Sequence, residues 1–227
     1  KWIIDTVKIH FTKKNKVNIL YSENIKKQFI KVGVPSGNLF VANNTIDVGR
    51  RPKCFNYRDK FRILFVGSLV ARKELGVLIT AFSNIIECIP DNIILTIVGD
   101  GPEMSNLKNF SKELGLRGRL IFSGELNKPR QLHNFYKEAI VSVSYGQAGL
   151  SVLQSFGFGV AFITKRNAIS GGEIHNIIDG HNGFKIRGGD HNLQECLKTI
   201  VLNLNYARHL GKNAYLYYSK HCTISCI

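Results

Sequence analysis

Between Phe61 and Leu204 the sequence alternates short apolar, β-branched runs with stretches whose apolar residues recur at helical spacing. Strands are predicted at 62–66, 94–98, 120–122, 140–144 and 161–164, and helices near 74–87, 103–114, 130–138, 150–158 and 193–204. Strands without a polar face, joined by crossover helices, are typical of a buried parallel sheet. Residues 61–204 are therefore predicted to form an α/β domain, a Rossmann-like parallel sheet with helices on both faces.

A shorter strand–helix–strand pattern precedes this domain. Strands are predicted at 17–20 and 39–42, and the helix between them is capped by Ser22, with Val32 among the residues that face the strands. A polar stretch with Gly49 and Pro52 follows, which is typical of a linker. We therefore expect part of a second α/β domain in residues 1–50, a linker at 51–60 and a C-terminal tail at 205–227.

The positive charge of the chain is concentrated near its N-terminus. Of 227 residues, 31 are Lys or Arg and 16 are Asp or Glu, and residues 1–53 hold 11 of the basic residues against 3 acidic ones. A field of this sign favours anionic partners, which are nucleic acid, a phospholipid surface or phosphorylated small molecules. A solvated basic face that aids solubility is the alternative interpretation.

Other global features restrict the class of protein. The sequence has neither a run of 18 apolar residues nor a signal peptide, so a cytoplasmic location is expected. The five cysteines lack metal-binding spacing, which favours reduced thiols and no metal. Met104 is the only methionine, so we expect a processed chain or a piece of a longer protein.

Ligands of open parallel sheets bind where loops leave the carboxyl ends of the strands. The first such loop begins at Gly67 and ends with Arg72 and Lys73 before a helix, two cations suited to a diphosphate. An ordinary basic helix cap is an equal alternative. The loop with Gly146 and Gly149 exposes backbone N–H groups before another helix, which again favours an anion.

Two further loops follow strands. Gly99-Asp100-Gly101-Pro102 carries half of a dinucleotide-binding fingerprint, and Ser105 replaces its third glycine. This supports a dehydrogenase site only weakly, since a tight turn with Pro102 at the first helical position explains Gly101-Pro102 fully. The loop Ser170-Gly171-Gly172-Glu173 is expected to open a helix, and 178–184 to form a turn into a short strand.

In their order and spacing these motifs resemble the C-terminal, donor-binding domain of family 4 (group 1) glycosyltransferases with the GT-B fold. The resemblance covers roughly residues 17–204, and the part before Asp47 is similar to the end of that family's N-terminal, acceptor-side domain. The segments that carry it are Gly67 to Lys73, Gly99 to Glu103, Phe122 to Gly124, Gly146 to Gly159 and Asp179 to Phe184.

The resemblance implies a role for each matching residue. Lys73 matches the lysine that holds the donor diphosphate, with Arg72 beside it, and these two are the candidate catalytic residues. Ser68 stands where the family has a partner arginine. The family's paired glutamates fall on Gly146 and Gln154, so both acids are missing from this chain.

The resemblance also assigns the remaining donor contacts. Gln154 is expected to hydrogen-bond a ribose hydroxyl, and Gln147 or backbone groups the sugar. Gly124 and Leu126 match the loop that stacks on the nucleotide base. The candidate donor-binding residues are Gly67, Ser68, Gly99, Gly101, Gly124, Leu126, Gln147, Gly149, Leu150, Ser151 and Gln154.

The implied chemistry is retaining transfer of a sugar from a donor such as a UDP- or GDP-sugar to a polysaccharide or lipid-linked acceptor, in bacterial surface polysaccharide synthesis. Lys73, Arg72 and the N–H groups of Gly149, Leu150 and Ser151 would stabilise the departing diphosphate, so neither a cofactor nor a metal is required. Since the acceptor side belongs to the N-terminal domain, this chain alone is expected to be inactive or weakly active. Its basic N-terminal quarter is expected to face either an anionic membrane at the inner face or an anionic acceptor.

Two other functions compete with this one. A basic nucleic-acid-binding module suits the net charge of +15, but RRM, KH and zinc patterns are missing, so nucleic acid is not expected as a partner. A nicotinamide-dependent Rossmann domain would carry its Gly-x-Gly after the first strand rather than the second.

Overall fold

The computed structural model describes residues 9–49, 56, 59–116, 118–126 and 129–224, and only the backbone of 129, 130 and 190. Its strands are β1 (Asn18–Leu20), β2 (Leu39–Val41), β3 (Arg62–Val66), β4 (Ile94–Val98), β5 (Leu120–Phe122), β6 (Ala139–Val143), β7 (Ala161–Lys165) and β8 (Gly183–Ile186). The last six form one parallel sheet in the order β5-β4-β3-β6-β7-β8. The predicted Rossmann-like parallel sheet is therefore confirmed.

Helices connect these strands and follow the last one. They are α1 (Glu23–Lys31), α2 (Leu75–Ile85), α3 (Met104–Glu113), α4 (Pro129–Glu138), α5 (Ser151–Gly157), α6 (Asp190–Leu202) and α7 (Leu204–His221). Short 3-10 turns cover Ser36–Asn38, Ala71–Lys73, Ile86–Cys88 and Glu173–Asn176. The helix expected after the Ser170 loop is thus one 3-10 turn, since Asp179 and Gly180 begin the turn into β8 soon afterwards.

The six-stranded sheet is buried on both faces. Successive residues of a strand point to opposite sides of the sheet, so neighbouring residues of β3 show what covers each face. Ile63 and Phe65 of β3 belong to a cluster with Leu78 of α2. Leu64, between them, belongs to a second cluster with Phe156 of α5. Helices therefore cover both faces, as the apolar strands predicted.

The two remaining strands form a separate N-terminal unit with α1 and with residues 9–14, which are also helical. β1 and β2 pair in parallel, and the hydroxyl of Ser22 caps α1 by accepting from the N–H of Ile25 at 3.3 Å. Leu39 is buried beneath α1, whereas Ile19 and Phe40, which are register partners, are 66% and 53% exposed. The expectation that Val32 faces the strands is wrong, because this residue is the C-cap beyond the last helical turn.

The predicted tail contains α7, which packs on α5 and reaches the segment after β2. There the hydroxyl of Tyr218 donates to the carbonyl of Ile46 at 2.6 Å, and that of Thr45 donates to the carbonyl of Cys222. Residues 1–8 and 225–227 and most of the predicted linker 51–60 lie outside the described residues, so the domain boundaries stay predictions. Within the described ranges, no helix is both long enough and apolar enough to cross a membrane.

Candidate functional site

The predicted site loops leave the sheet where its strand order reverses. β3 pairs with β4 on one side and β6 pairs with β7 on the other, so the switch point lies between β3 and β6. Because all six strands are parallel, the loops that begin at Gly67, Gly99, Gly146 and Gly171 share one edge of the sheet. This crevice is the place where open α/β sheets bind ligands.

Lys73 lies at the centre of this edge, at the end of the 3-10 turn that follows β3. Its side chain is 9% exposed, and its ammonium lies 3.7 Å from the point where a Cβ on Gly67 would stand. Among the described residues it has neither a hydrogen-bond acceptor nor an ion-pair partner. Burial lowers the pKa of Lys73, the nearby Arg72 lowers it further, and Glu173 opposes both. Glu173 is thus the anion that acts on Lys73, but within the described residues the two side chains do not form an ion pair.

The β3 and β6 loops are in direct contact. Arg72, which is exposed, donates from Nε to Oε1 of Gln147 at 3.0 Å, and the N–H of Gly146 donates to the carbonyl of Lys73 at 3.1 Å. A Cβ on Gly146 would lie 2.3 Å from the carbonyl oxygen of Arg72 and 2.8 Å from Cγ of Glu74. A glutamate cannot occupy position 146 in this arrangement, which gives a packing reason for the glycine there.

Glu74 is a residue of this edge that the sequence did not reveal. Its φ of 53° places it in the left-handed region, and its carboxylate pairs with the ammonium of Lys165 at the end of β7. Glycine or asparagine usually marks such a backbone position, so glutamate carries no signal for it.

The loop before α5 offers unused hydrogen-bond donors. In the part of the chain that is described, the N–H groups of Gly149, Leu150 and Ser151 make no hydrogen bond. The hydroxyl oxygen of Ser151 is also buried without a partner there. Because buried polar groups are nearly always hydrogen-bonded, this loop is suited to an anion with several oxygens.

The glycines after β4 are required by packing between loops. A Cβ on Gly99, whose φ is 143°, would lie 1.9 Å from the carbonyl oxygen of Gly67, and one on Gly101 would lie 2.5 Å from that of Leu69. The N–H of Gly99 also donates to the carbonyl of Gly124 at 2.8 Å. These contacts join the β3, β4 and β5 loops into one surface, on which Ser68 is exposed.

Two further predicted donor-binding residues make contacts outside the β3 and β6 loops. Gln154 stands one turn into α5, half-buried, and its Oε1 accepts from the hydroxyl of Tyr136 at 3.4 Å. Leu126 packs on the cluster that contains Tyr136 and Phe158. The structure therefore joins the β3 and β6 loops by direct contacts, while Gln154 and Leu126 contact the cluster that contains Tyr136.

The loop after β7 adds a second residue to which the sequence reasoning gave no role. Glu173 is 5% exposed although it is charged, and its carboxylate is held by the hydroxyl of Ser170 and the N–H of Gly171. The signal that could have found it is the glutamate directly after two glycines at the end of a strand. Within the described residues, three or more His, Cys, Asp or Glu side chains do not converge on a metal-sized site.

Comparison with known proteins relates this architecture to a family. The model of the family described as glycosyl transferases group 1 matches residues 50–217. The lipopolysaccharide core biosynthesis glycosyltransferase LpsE of Rhizobium meliloti is 28% identical over 155 residues, 66% of this chain and 43% of that protein. The alpha-monoglucosyldiacylglycerol synthase of Streptococcus pneumoniae is 25% identical over 143 residues, 62% of this chain and 31% of that one. The chain thus spans less than half the length of either relative.

Solved structures share the fold. That of Anabaena HepE in complex with UDP superposes with a TM-score of 0.78 at 18% identity, over 97% of this chain and 64% of that one. TarM of S. aureus superposes with a TM-score of 0.79 at 17% identity, over 98% of this chain and 44% of that one. These likenesses confirm the expected GT-B glycosyltransferase fold.

Proposed function

The chain belongs to the glycosyl transferases group 1, and on that premise we propose that it binds a nucleotide-diphosphate sugar at the switch point between β3 and β6. Lys73 carries the proposal, because a largely buried ammonium that no described side chain pairs directly is costly unless a ligand neutralises it. A diphosphate supplies that charge. The UDP bound to Anabaena HepE supports a uridine nucleotide, and GDP is the other candidate.

The reaction we propose is transfer with retention at the anomeric carbon. The acceptor oxygen forms a bond to that carbon while the bond to the diphosphate oxygen breaks, and the acceptor's proton passes to the departing phosphate. Lys73, Arg72 and the N–H groups before α5 stabilise the charge that develops on the leaving group. With these donors in place the step requires neither a protein nucleophile nor a metal.

The other contacts are proposed from the positions that match the family. Gln147, which accepts a hydrogen bond from Arg72, would bind the sugar, and Gln154 would bind the ribose. Leu126 would pack on the base. The remaining donor-binding candidates, Gly67, Ser68, Gly99, Gly101 and Gly124, form the surface on which the nucleotide would lie.

The acceptor is proposed from the relatives. LpsE is named for lipopolysaccharide core biosynthesis and the S. pneumoniae enzyme for a glycolipid product, which supports a bacterial polysaccharide or lipid-linked acceptor. Because the chain spans only part of these relatives, we propose that the 227 residues bind donor but turn it over weakly. A cytoplasmic location at the inner membrane face stays a prediction.

The test is nucleotide binding by calorimetry and thermal shift. UDP or GDP should bind, whereas NAD and duplex oligonucleotide should not. Lys73→Ala should weaken nucleotide binding about ten- to a hundredfold, the effect of losing a charge-assisted hydrogen bond of about 1.5–3 kcal/mol. Without ligand this variant should be no less stable, since it removes a buried charge. Lys108→Ala, an exposed lysine on α3, is the matched control and should bind normally.

The pH dependence of binding provides an independent check. Burial, and then Arg72, lower the pKa of Lys73 below its ordinary value of 10.5, so the unliganded ammonium loses its proton before an exposed lysine does. Only the charged form attracts the diphosphate, and nucleotide affinity should fall as pH rises through this lowered pKa. Lys73→Ala should lack this decline. Equal affinity of both proteins at neutral pH, or steeply salt-dependent binding of DNA, would contradict the proposal.

A further inference from the structure

Glu173 holds a buried negative charge that the proposed reaction does not use. Its carboxylate accepts from the hydroxyl of Ser170 at 3.1 Å, from the N–H of Gly171 at 3.0 Å and from Nδ2 of Asn44 at 2.8 Å. No lysine or arginine among the described residues forms an ion pair with it. Since a buried carboxylate without a directly paired cation depends on its hydrogen bonds, the position of Glu173 depends on these three donors.

One of those donors comes from the segment that joins the N-terminal unit to the rest of the chain. Asn44 lies in the segment that follows β2, 129 residues before Glu173 in the sequence. The same loop also contacts α1, because a Cβ on Gly172 would lie 3.1 Å from Cδ1 of Ile25 and 3.4 Å from the hydroxyl oxygen of Ser22. The loop after β7 is therefore where the N-terminal unit meets the edge of the large sheet.

The other end of this loop is attached to the candidate donor site. Ile169 donates to the carbonyl of Gly146 at 3.0 Å and accepts from the N–H of Ala148 at 2.9 Å. The charge of Glu173 also acts on Lys73, where it opposes the lowering of the pKa by burial and by Arg72. A displacement of Glu173 would therefore affect both the loop that contains Gly146 and the charge environment of the Lys73 ammonium.

We propose that Glu173 is a positioning residue that couples docking of the N-terminal unit, through Asn44, to nucleotide binding at Lys73. The inference rests on the proposed function, because it concerns the same nucleotide site. When Asn44 donates to one carboxylate oxygen of Glu173, the other oxygen stays hydrogen-bonded to Ser170 and Gly171. The loop after β7 then keeps its contact with Gly146. Such coupling is reciprocal, so nucleotide must also strengthen the docking of the unit.

The experiment measures UDP affinity in the 227-residue chain. Asn44→Ala should weaken UDP binding about fivefold or more, although Asn44 is not among the predicted donor contacts. Asn44→Asp should weaken it further, because two carboxylates would then face each other. Thr45→Val is the matched control, since it removes a neighbouring hydrogen bond between the same two regions, to Cys222, but leaves Glu173 untouched. This control should bind UDP within about twofold of the unmodified chain.

A double-mutant cycle identifies the carboxylate as the connection. Glu173→Gln should weaken UDP binding, and adding Asn44→Ala to it should cause little further loss, because the two residues act as one unit. Hydrogen exchange gives a second readout, in which UDP should slow exchange over residues 43–48 in the unmodified chain but not in Glu173→Gln.

Different failures have different meanings. If the unmodified chain does not bind UDP or GDP, the proposed function and this inference both fall. If it binds UDP and Asn44→Ala binds equally well, or if the losses in the double mutant simply add, only the coupling through Glu173 is refuted. Because Asn44→Ala leaves the carboxylate in place, the result does not depend on whether Glu173→Gln folds.

Discussion

The N-terminal unit and the six-stranded region use the same strand–helix–strand pattern with different results. In the large sheet β3 has a neighbour on each side, and Ile63, Leu64 and Phe65 are fully buried. In the small unit β1 and β2 pair only with each other among the described strands, and Ile19 and Phe40 are more than half exposed. Up to the end of β2, the buried apolar side chains among the described residues are those of Val34 and Leu39, so a pattern in sequence does not fix the depth of burial.

The N-terminal unit is held instead by the segment that follows it. Val48 is buried against α5, where a Cβ on Gly157 would lie 2.7 Å from one of its methyl groups. The hydrogen bonds from Tyr218 to Ile46 and from Thr45 to Cys222 add to this contact. Attachment to the larger region therefore depends on a few side chains, and we expect mutations in the two regions to have unequal effects.

The largest difference should come from truncating a phenylalanine in each region. Phe65→Ala removes a fully buried ring from β3 and should lower the free energy of unfolding by about 3–5 kcal/mol. Phe40→Ala removes a ring that is 53% exposed and should cost less than about 1 kcal/mol. Urea denaturation measures both. Similar losses in the two variants would mean that the outer face of the N-terminal unit is covered in solution.

A smaller difference is expected between two glycines. Gly99→Ala would place a methyl group 1.9 Å from the carbonyl oxygen of Gly67, so the loops must separate, at a cost of about 1–3 kcal/mol. UDP affinity should fall with stability, because the same loops form the candidate site. Gly37→Ala, in the N-terminal unit, meets no atom within 4 Å and should leave the midpoint of unfolding and UDP affinity unchanged. A stable Gly99→Ala variant that binds UDP normally would show that these loops tolerate separation.

Much of the large sheet was predictable, because its apolar runs are short, β-branched and separated by helical periodicity. Strands 62–66, 94–98 and 120–122 have the predicted limits. The 3-10 turn at Glu173 and the exposure of Val32 were not predicted correctly. The length of a helix and the position of its cap depend on the structure that the following residues adopt. Periodicity shows which residues share a face but does not show how much that face is covered.

The candidate site was predictable only at positions where the residue type itself indicates a function. Lys73, Arg72 and the glycines are visible because cations and glycines at strand ends suit a phosphate, and the structure places the β3 and β6 loops together. The contacts of Glu74 and Glu173 join residues that are 91 and 129 positions apart, with Lys165 and Asn44 respectively. Such pairs depend on the complete topology, and a single sequence contains no periodic signal for them.

The smallest expected effect concerns the positive charge of the N-terminal unit at a membrane. Lys27 and Lys31 are exposed one turn apart on α1, with Lys26 half-buried beside them. A lysine near an anionic surface contributes about 1 kcal/mol, roughly a fivefold change in affinity. The chain should therefore co-sediment with anionic vesicles but not with neutral ones, and physiological salt should weaken the binding.

Two triple variants test whether these particular lysines matter. Replacing Lys26, Lys27 and Lys31 by alanine should reduce vesicle binding far more than replacing Lys108, Lys112 and Lys212, which removes the same charge from the region of the six-stranded sheet. Equal loss in both triple variants would show that net charge alone attracts the chain. Tighter binding to duplex DNA than to anionic vesicles would instead favour a nucleic-acid partner for this unit.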